Sequence, residues 1–248
     1  MSEKHARKKN LYEPGAANHF KFSRTKLDNF LKCPRCFYLN LRRGIKQPEG
    51  LPFTLNSAVD HLLKKEFDIY RSKKEIHPLM ERHGIKAIPF AHEKLKDWRN
   101  NFSGIQHIHA ETNFLVFGAI DDVWVNDEGK LYIVDYKATS KESGLSLDNE
   151  WQKGWKRQME IYQWLFRKNG FDVSDTGYFV YCNGKKDREG LNGKLEFDIE
   201  IHPYQGDDKW IEAELKKAKE CLESDEIPDY TEECDFCNYQ QLLKPILE

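Results

Sequence analysis

The sequence predicts an α/β protein in which helices pack on one mixed β-sheet. Three observations point to it. The stretch Leu115–Ser140 alternates apolar and polar residues on both sides of Asn126-Asp127-Glu128-Gly129, the pattern of two antiparallel strands and a short turn. Two further strand-like runs, Thr176–Tyr181 and Leu195–Ile201, lie beyond a helical segment. Amphipathic helical runs stand before, between and after these strands.

The totals bound what such a chain can be. At 248 residues with 39% hydrophobic and 13% aromatic content, it is long and apolar enough for one large, fully formed core. A net charge of −2 does not mark a nucleic-acid binder, although charge sums conceal local patches. No apolar run approaches the roughly 20 residues that cross a bilayer. The opening MSEKHARKKN is charged with no apolar region behind it, unlike a secretory signal. A cytoplasmic location is expected, where the six cysteines stay reduced and serve as metal ligands or buried thiols. The expected organisation is a flexible basic lead-in over 1–20 and a single domain over 21–248.

Taken in order, Ser23 is a good N-cap for a helix through Leu31, which places Leu27, Phe30 and Leu31 at core spacing. Cys33-Pro34-Arg35-Cys36 and the apolar Phe37-Tyr38-Leu39 follow, and Pro48, Gly50 and Pro52 mark a loop. A second helix is expected from Asn56 or Ser57 to about Tyr70, carrying His61 and burying Val59, Leu62, Leu63, Phe67 and Ile69 or Tyr70. Residues 72–110 should hold short helices and loops, and Lys141–Asn149 is polar enough to be mobile. An amphipathic helix spans about Trp151–Lys168, with Met159, Tyr162, Leu165 and Phe166 on one side and Gly170 to end it. Asn183-Gly184 reads as a turn, and Trp210–Leu222 as the last long helix.

The chemistry gathers in the central hairpin. Asp135 and Lys137 are two apart on a strand and leave the same face. By itself this pair is better explained by a structural salt bridge, so its companions decide. Phosphodiester hydrolysis needs an activated water and charge neutralisation at the phosphate and the leaving oxygen. A magnesium or manganese ion supplies these where a few oxygen ligands leave coordination positions open. Asp121 and Asp135 offer carboxylates, the carbonyl of Tyr136 a neutral oxygen, and Lys137 a cation to orient water and offset charge. His61 could complete the set, and an imidazole ligand favours manganese. Asp122 competes with Asp121, since the two point to opposite faces and alternation does not separate them.

His61, Gly118-Ala119-Ile120-Asp121, Asp135-Tyr136-Lys137 and Gln158-x-x-x-Tyr162, in that order, resemble the RecB-type branch of the PD-(D/E)xK nuclease superfamily over roughly residues 22–240. The resemblance implies a restriction-endonuclease-like core and a metal site built from His61, Asp121, Asp135 and Lys137. It also implies that Gln158 and Tyr162, which share a helix face, line that site or touch nucleic acid. Ser57 stands where the family usually has a glycine four residues before its histidine, a small-for-small exchange.

Cys33-x-x-Cys36 and Cys234-x-x-Cys237 have metal-ligand spacing, and two such pairs in a reducing compartment point to a four-thiolate site joining the two ends of the chain. Cys182 and Cys221 read as core thiols. Four thiolates suit zinc and iron–sulfur clusters alike. CPRCFYL resembles RecB-like nucleases, CRISPR-adaptation exonucleases among them, and this implies a [4Fe–4S] cluster. Those relatives use one upstream and three downstream cysteines, however, and Leu243 occupies the position of the last, which keeps zinc open.

Basic residues at Arg42-Arg43, Lys153–Arg157 and Lys185, Lys186 and Arg188, with Trp151 and Trp155 beside the middle group, could hold a DNA strand by phosphate contact and stacking. No segment reads as a base-recognition helix, which argues against sequence-specific cutting. The sequence thus leads to a metal-dependent deoxyribonuclease, an exonuclease or an end- or structure-dependent enzyme. Its partners would be single-stranded DNA or duplex ends and a helicase or other recombination, repair or defence protein, with no membrane. The opposing reading is a non-catalytic binding or assembly module clipped by its cysteines; a third is hydrolysis of another phosphoester.

Overall fold

The computed structural model describes residues 7, 9–48, 50, 54–141 and 152–247. Trp151 and nearly all of the polar run expected to be mobile lie outside the described residues. The chain divides into two compact units, one of residues 1–51, 108–117 and 209–248 and one of residues 52–107 and 118–208.

The second unit holds a five-stranded mixed sheet. Its strands are β2 (Ile88–Pro89), β5 (Asp122–Val125), β6 (Leu131–Thr139), β7 (Thr176–Gly184) and β8 (Phe197–Gln205), in the spatial order β2-β5-β6-β7-β8. β5 and β6 are antiparallel, β6 and β7 parallel, and β7 and β8 antiparallel again. The parallel pair needs a crossover, supplied by α6 (Lys153–Lys168). One face of the sheet buries Trp124, Val134, Tyr136, Val180 and Ile201 together with Leu63 and Phe67 of α3 (Thr54–Lys73) and Leu79 and Met80 of α4 (Pro78–Arg82). α6 lies on β6, buries Met159, Ile161, Tyr162, Leu165 and Phe166, and ends at Gly170, whose φ of +85° suits a residue without Cβ. The short α5 (Leu95–Trp98) turns Trp98 edge-on to Phe166.

The first unit contains α1 (Arg24–Lys32), α2 (Pro34–Arg42), α7 (Ile211–Glu223) and α8 (Asp235–Leu247). A three-stranded sheet has the order β1-β4-β3, from β1 (Phe20–Ser23), β4 (Phe114–Gly118) and β3 (Ile105–His109). β1 runs parallel to β4, and Phe22 stacks on Phe114 with ring centroids 4.3 Å apart. Ser23 caps α1 by accepting from the Lys26 N–H. Tyr12, in the segment expected to be a flexible lead-in, is buried edge-on to Phe20 and Phe114.

Several expectations are corrected. The run Leu115–Val125 is not one strand: it breaks after Gly118, and only Asp122–Val125 pairs with β6. Leu62 and Ile69 are exposed on α3, because the helix buries the narrower stripe of Leu63 and Phe67. Asn183 and Gly184 finish β7, where pairing to Asp198 and Phe197 outweighs their turn preference. α8, which buries only Cys237, follows the helix expected to be last.

Candidate active site and cysteine site

The register explains how the acidic residues sort themselves. Asp122 pairs with Val134 and Val123 with Ile133, while Asp121 lies just before the strand and its side chain reaches the main chain of Tyr136, the residue after Asp135. Side chains alternate across the sheet, and Tyr136 turns to the core face while Asp135 and Lys137 turn to the face that carries α6. Asp122 is fully buried. It accepts from the Tyr136 hydroxyl at 2.8 Å, from Arg99 at 3.1 Å and from Arg71, and is an internal structural carboxylate. Arg99 also donates to Asp68 and to the main-chain oxygen of Asp121.

Asp121 faces different company. Its Oδ2 accepts from the Tyr136 N–H at 2.8 Å, and its Oδ1 lies 3.0 Å from Lys64 Nζ. Burial alone would push its carboxyl up, but Lys64, Lys137 and the Tyr136 N–H outweigh that and hold it below its usual range. Asp60, on α3, is pushed up by burial and by the charge of Asp121 beside it.

Asp135 is fully buried and ion-paired to Lys137. Gln158 of α6 donates to Asp135 Oδ1 at 2.7 Å, reaches the Tyr162 hydroxyl at 3.2 Å, and accepts from Lys137 Nζ at 3.4 Å. Lys137 Nζ also stands 5.2 Å from the centroid of Trp155. Two turns of α6 thus present an amide, a phenol and an indole to the carboxylate and the amine. Asp121, Asp135, Lys137, Gln158 and Tyr162 are brought together, with the Tyr136 main chain between the two carboxylates.

His61 is not drawn into this group. It is exposed on α3, where its neighbour Asp60 and Lys64 one turn on face Asp121 instead. Among the described residues, no third His, Cys, Asp or Glu ligand atom closes on Asp121 and Asp135 to within 4.8 Å. The donor set is nonetheless suited to a hard divalent ion, since the partly exposed carboxylate of Asp121 and the buried one of Asp135 each already hold a cation, the ammonium of Lys64 or of Lys137. Sequence reasoning missed Asp60 and Lys64; their i,i+4 spacing around His61 was the available signal.

In the first unit, both Cys-x-x-Cys pairs sit at helix starts. Cys33 ends α1 and begins α2, with Pro34 in the first position and Cys36 in the first turn. Cys234 precedes α8, and Cys237 lies in its first turn. The positive ends of two helices therefore face the sulfurs. The four Sγ atoms lie within 4.8 Å of one another, with separations of 3.9 Å for Cys33–Cys237, 3.7 Å for Cys36–Cys234 and 3.5 Å for Cys36–Cys237. Burial raises the Cys33 thiol, yet hydrogen bonds from the Cys36 and Thr231 main chains outweigh it and bring it down to about 7. Burial pushes Cys36 up to about 11. Around the site, Thr231 donates to the Lys32 carbonyl at 2.6 Å and Arg35 to the Pro228 carbonyl at 3.0 Å. Tetrahedral zinc, with Zn–S near 2.3 Å, needs sulfurs about 3.8 Å apart. The residues fit such an ion.

The basic patches are largely committed to the protein's own acids. Arg42 pairs with Asp225, Lys185 with Asp198 and Arg188 with Glu196. The middle group, Lys153–Arg157, lies on the turn of α6 that carries Trp155.

The fold and this arrangement of carboxylates, amine and amide define a class, and comparison with known proteins gives the same one. The chain matches the family model of the PD-(D/E)XK nuclease superfamily over residues 54–242, and it belongs to that superfamily. Among solved structures, one titled "Crystal structure of SSO0001" is 24% identical with a TM-score of 0.30, covering 52% of this chain and about half, 51%, of that one. No curated protein sequence matches the chain. No helix among the described residues is long and apolar enough to cross a membrane.

Proposed function

We propose that the chain is a magnesium- or manganese-dependent deoxyribonuclease of the RecB-type branch, acting on single strands or duplex ends in recombination, repair or defence. The observation that carries this reading is the Asp121 carboxylate bound to the Tyr136 N–H, next in the chain to Asp135, which holds Lys137 and Gln158. Asp121, Asp135 and the Tyr136 carbonyl would hold the ion, and His61 stands next to Asp60 on α3, where an imidazole would favour manganese. When bound, the ion activates water and neutralises charge on the phosphate.

The chain's own residues do the rest. Lys137 orients the attacking water and offsets negative charge in the transition state. Gln158 fixes one oxygen of Asp135 and is itself held by the Tyr162 hydroxyl, so the carboxylate has one orientation. Trp155, beside Lys137, offers a surface on which an unpaired base can stack. No segment of the sequence reads as a base-recognition helix, which favours cutting directed by ends or structure, and a helicase or other recombination protein is the fitting partner.

The four thiolates are proposed to hold one structural zinc ion, because their separations match a single tetrahedral centre. A [4Fe–4S] cluster would interpose its own iron and sulfide and spread the sulfurs further apart.

The test is cleavage of single- and double-stranded DNA with magnesium or manganese, comparing wild type with Asp135→Ala. Metal-dependent cleavage lost in the variant supports the enzyme. Equal cleavage by both points to a contaminant, and no cleavage by either favours a binding module. A nucleotide panel separates hydrolysis of other phosphoesters.

A further inference from the structure

Lys64 lies on α3 one turn beyond Asp60, and its ammonium is shared between two carboxylates, 2.8 Å from Asp60 and 3.0 Å from Asp121 Oδ1. The three groups are half-enclosed, with the Lys64 and Asp121 side chains only about one-fifth exposed. Asp121 thus carries a cation of the chain's own on the oxygen that the proposed function would give to a metal. A lysine is suited to such a post, being a compact charge on a flexible four-carbon stem. Its i,i+4 relation to Asp60 lets it leave Asp121 by side-chain rotation alone and still keep a partner.

We propose that Lys64 is a resident counter-ion of the metal site, neutralising Asp121 when no divalent ion is present and withdrawing to Asp60 when one binds. The inference rests on Asp121 and Asp135 being metal ligands. A tethered ammonium competes with the incoming ion at high effective concentration, so the chain gives up metal affinity in exchange for a half-enclosed carboxylate that never stands uncompensated. Asp60 is the second seat that makes the exchange feasible.

The experiment is a manganese titration of the full-length chain, its cysteine site as purified, read from the electron paramagnetic resonance signal of free Mn2+. Wild type, Lys64→Met, Lys64→Gln, Asp60→Asn, Asp121→Asn and Asp135→Asn are compared at low salt. Lys64→Met and Lys64→Gln are expected to bind Mn2+ at least roughly tenfold more tightly than wild type, two charges near 3 Å being strongly coupled even when partly solvated. Asp60→Asn, which removes the second seat, is expected to bind more weakly. Unchanged or weaker binding in both Lys64 variants, with Asp121→Asn and Asp135→Asn still abolishing it, overturns the counter-ion role and leaves the metal site standing. Binding that survives Asp121→Asn and Asp135→Asn overturns the metal site itself, and the role of Lys64 with it.

Discussion

The hydroxyl of Tyr136 donates to Asp122 at 2.8 Å, while the N–H of the same residue donates to Asp121 at the same distance. One residue of β6 therefore sorts two adjacent aspartates, one to the core and one to the candidate site. Removing the core carboxylate leaves two guanidinium groups to share Asp68, so Asp122→Ala is expected to cost about 3 kcal/mol. Tyr136→Phe, which deletes one hydrogen bond, should cost about 1 kcal/mol. Urea unfolding measures both, and Asp121→Asn should stay closer to wild type than Asp122→Ala.

Gln158 touches Asp135, Lys137 and Tyr162 without being a carboxylate itself. Gln158→Ala is expected to lower the cleavage rate by roughly 10- to 100-fold through loss of orientation. Tyr162→Phe should have a smaller effect, since it removes only the support of Gln158. Both should unfold near the wild-type midpoint, and single-turnover kinetics make the comparison.

His77 supplies a pH dependence away from the proposed metal. Its Nδ1 accepts from the Leu79 N–H at the start of α4 and its Nε2 faces Glu66 at 3.0 Å, so the folded protein holds the neutral ring with its proton on Nε2. Burial lowers its pKa, more than Glu66 raises it. The unfolded chain therefore binds more protons just below pH 6.5, and this contribution to stability is lost as pH falls from there through the folded pKa. His77→Gln should flatten the stability profile between about pH 5 and 7. A profile as steep as wild type would refute the assignment.

The cysteine site makes a prediction of colour and content. Purified under anaerobic conditions, the protein should be colourless with one zinc per chain. A brown protein with a broad visible band would establish the iron–sulfur alternative. Cys36→Ser and Cys237→Ser should lose the metal and unfold at a lower temperature, whereas Cys182→Ala, a change in the core of the five-stranded sheet, should keep it.

Gly104 has φ +60°, and a Cβ there would meet the Gly118 carbonyl oxygen at 2.3 Å. Gly118 opens the short segment that delivers Asp121. Gly104→Ala should therefore destabilise by more than about 1 kcal/mol and also reduce cleavage, because relief of the clash displaces that segment. Thermal unfolding and cleavage rates test the pair of effects.

Much of this was legible in the sequence. Alternation puts Asp135 and Lys137 on one face of a strand, capping chemistry marks Ser23, and spacing pairs the cysteines, all local rules. What remained hidden depends on partners distant in the chain. Whether Asp121 or Asp122 faces the site is set by register against β6, which no local pattern records. Leu62 and Ile69 read as core until Leu63 and Phe67 are seen to define the buried stripe of α3. α8 escaped because it buries Cys237 alone and carries Pro245 inside, a residue that argues against a helix.

The separation of Cys33 and Cys36 from Cys234 and Cys237 also sets an order of assembly. Two sulfurs leave the ribosome early, and their counterparts emerge only after every strand of the five-stranded sheet has been synthesised. The sheet with its acidic residues can therefore form on the nascent chain, while the four-thiolate cluster, and the zinc proposed for it, wait for α8. A chain interrupted before residue 234 would possess Asp135 and Lys137 yet never close the unit in which its first helices belong.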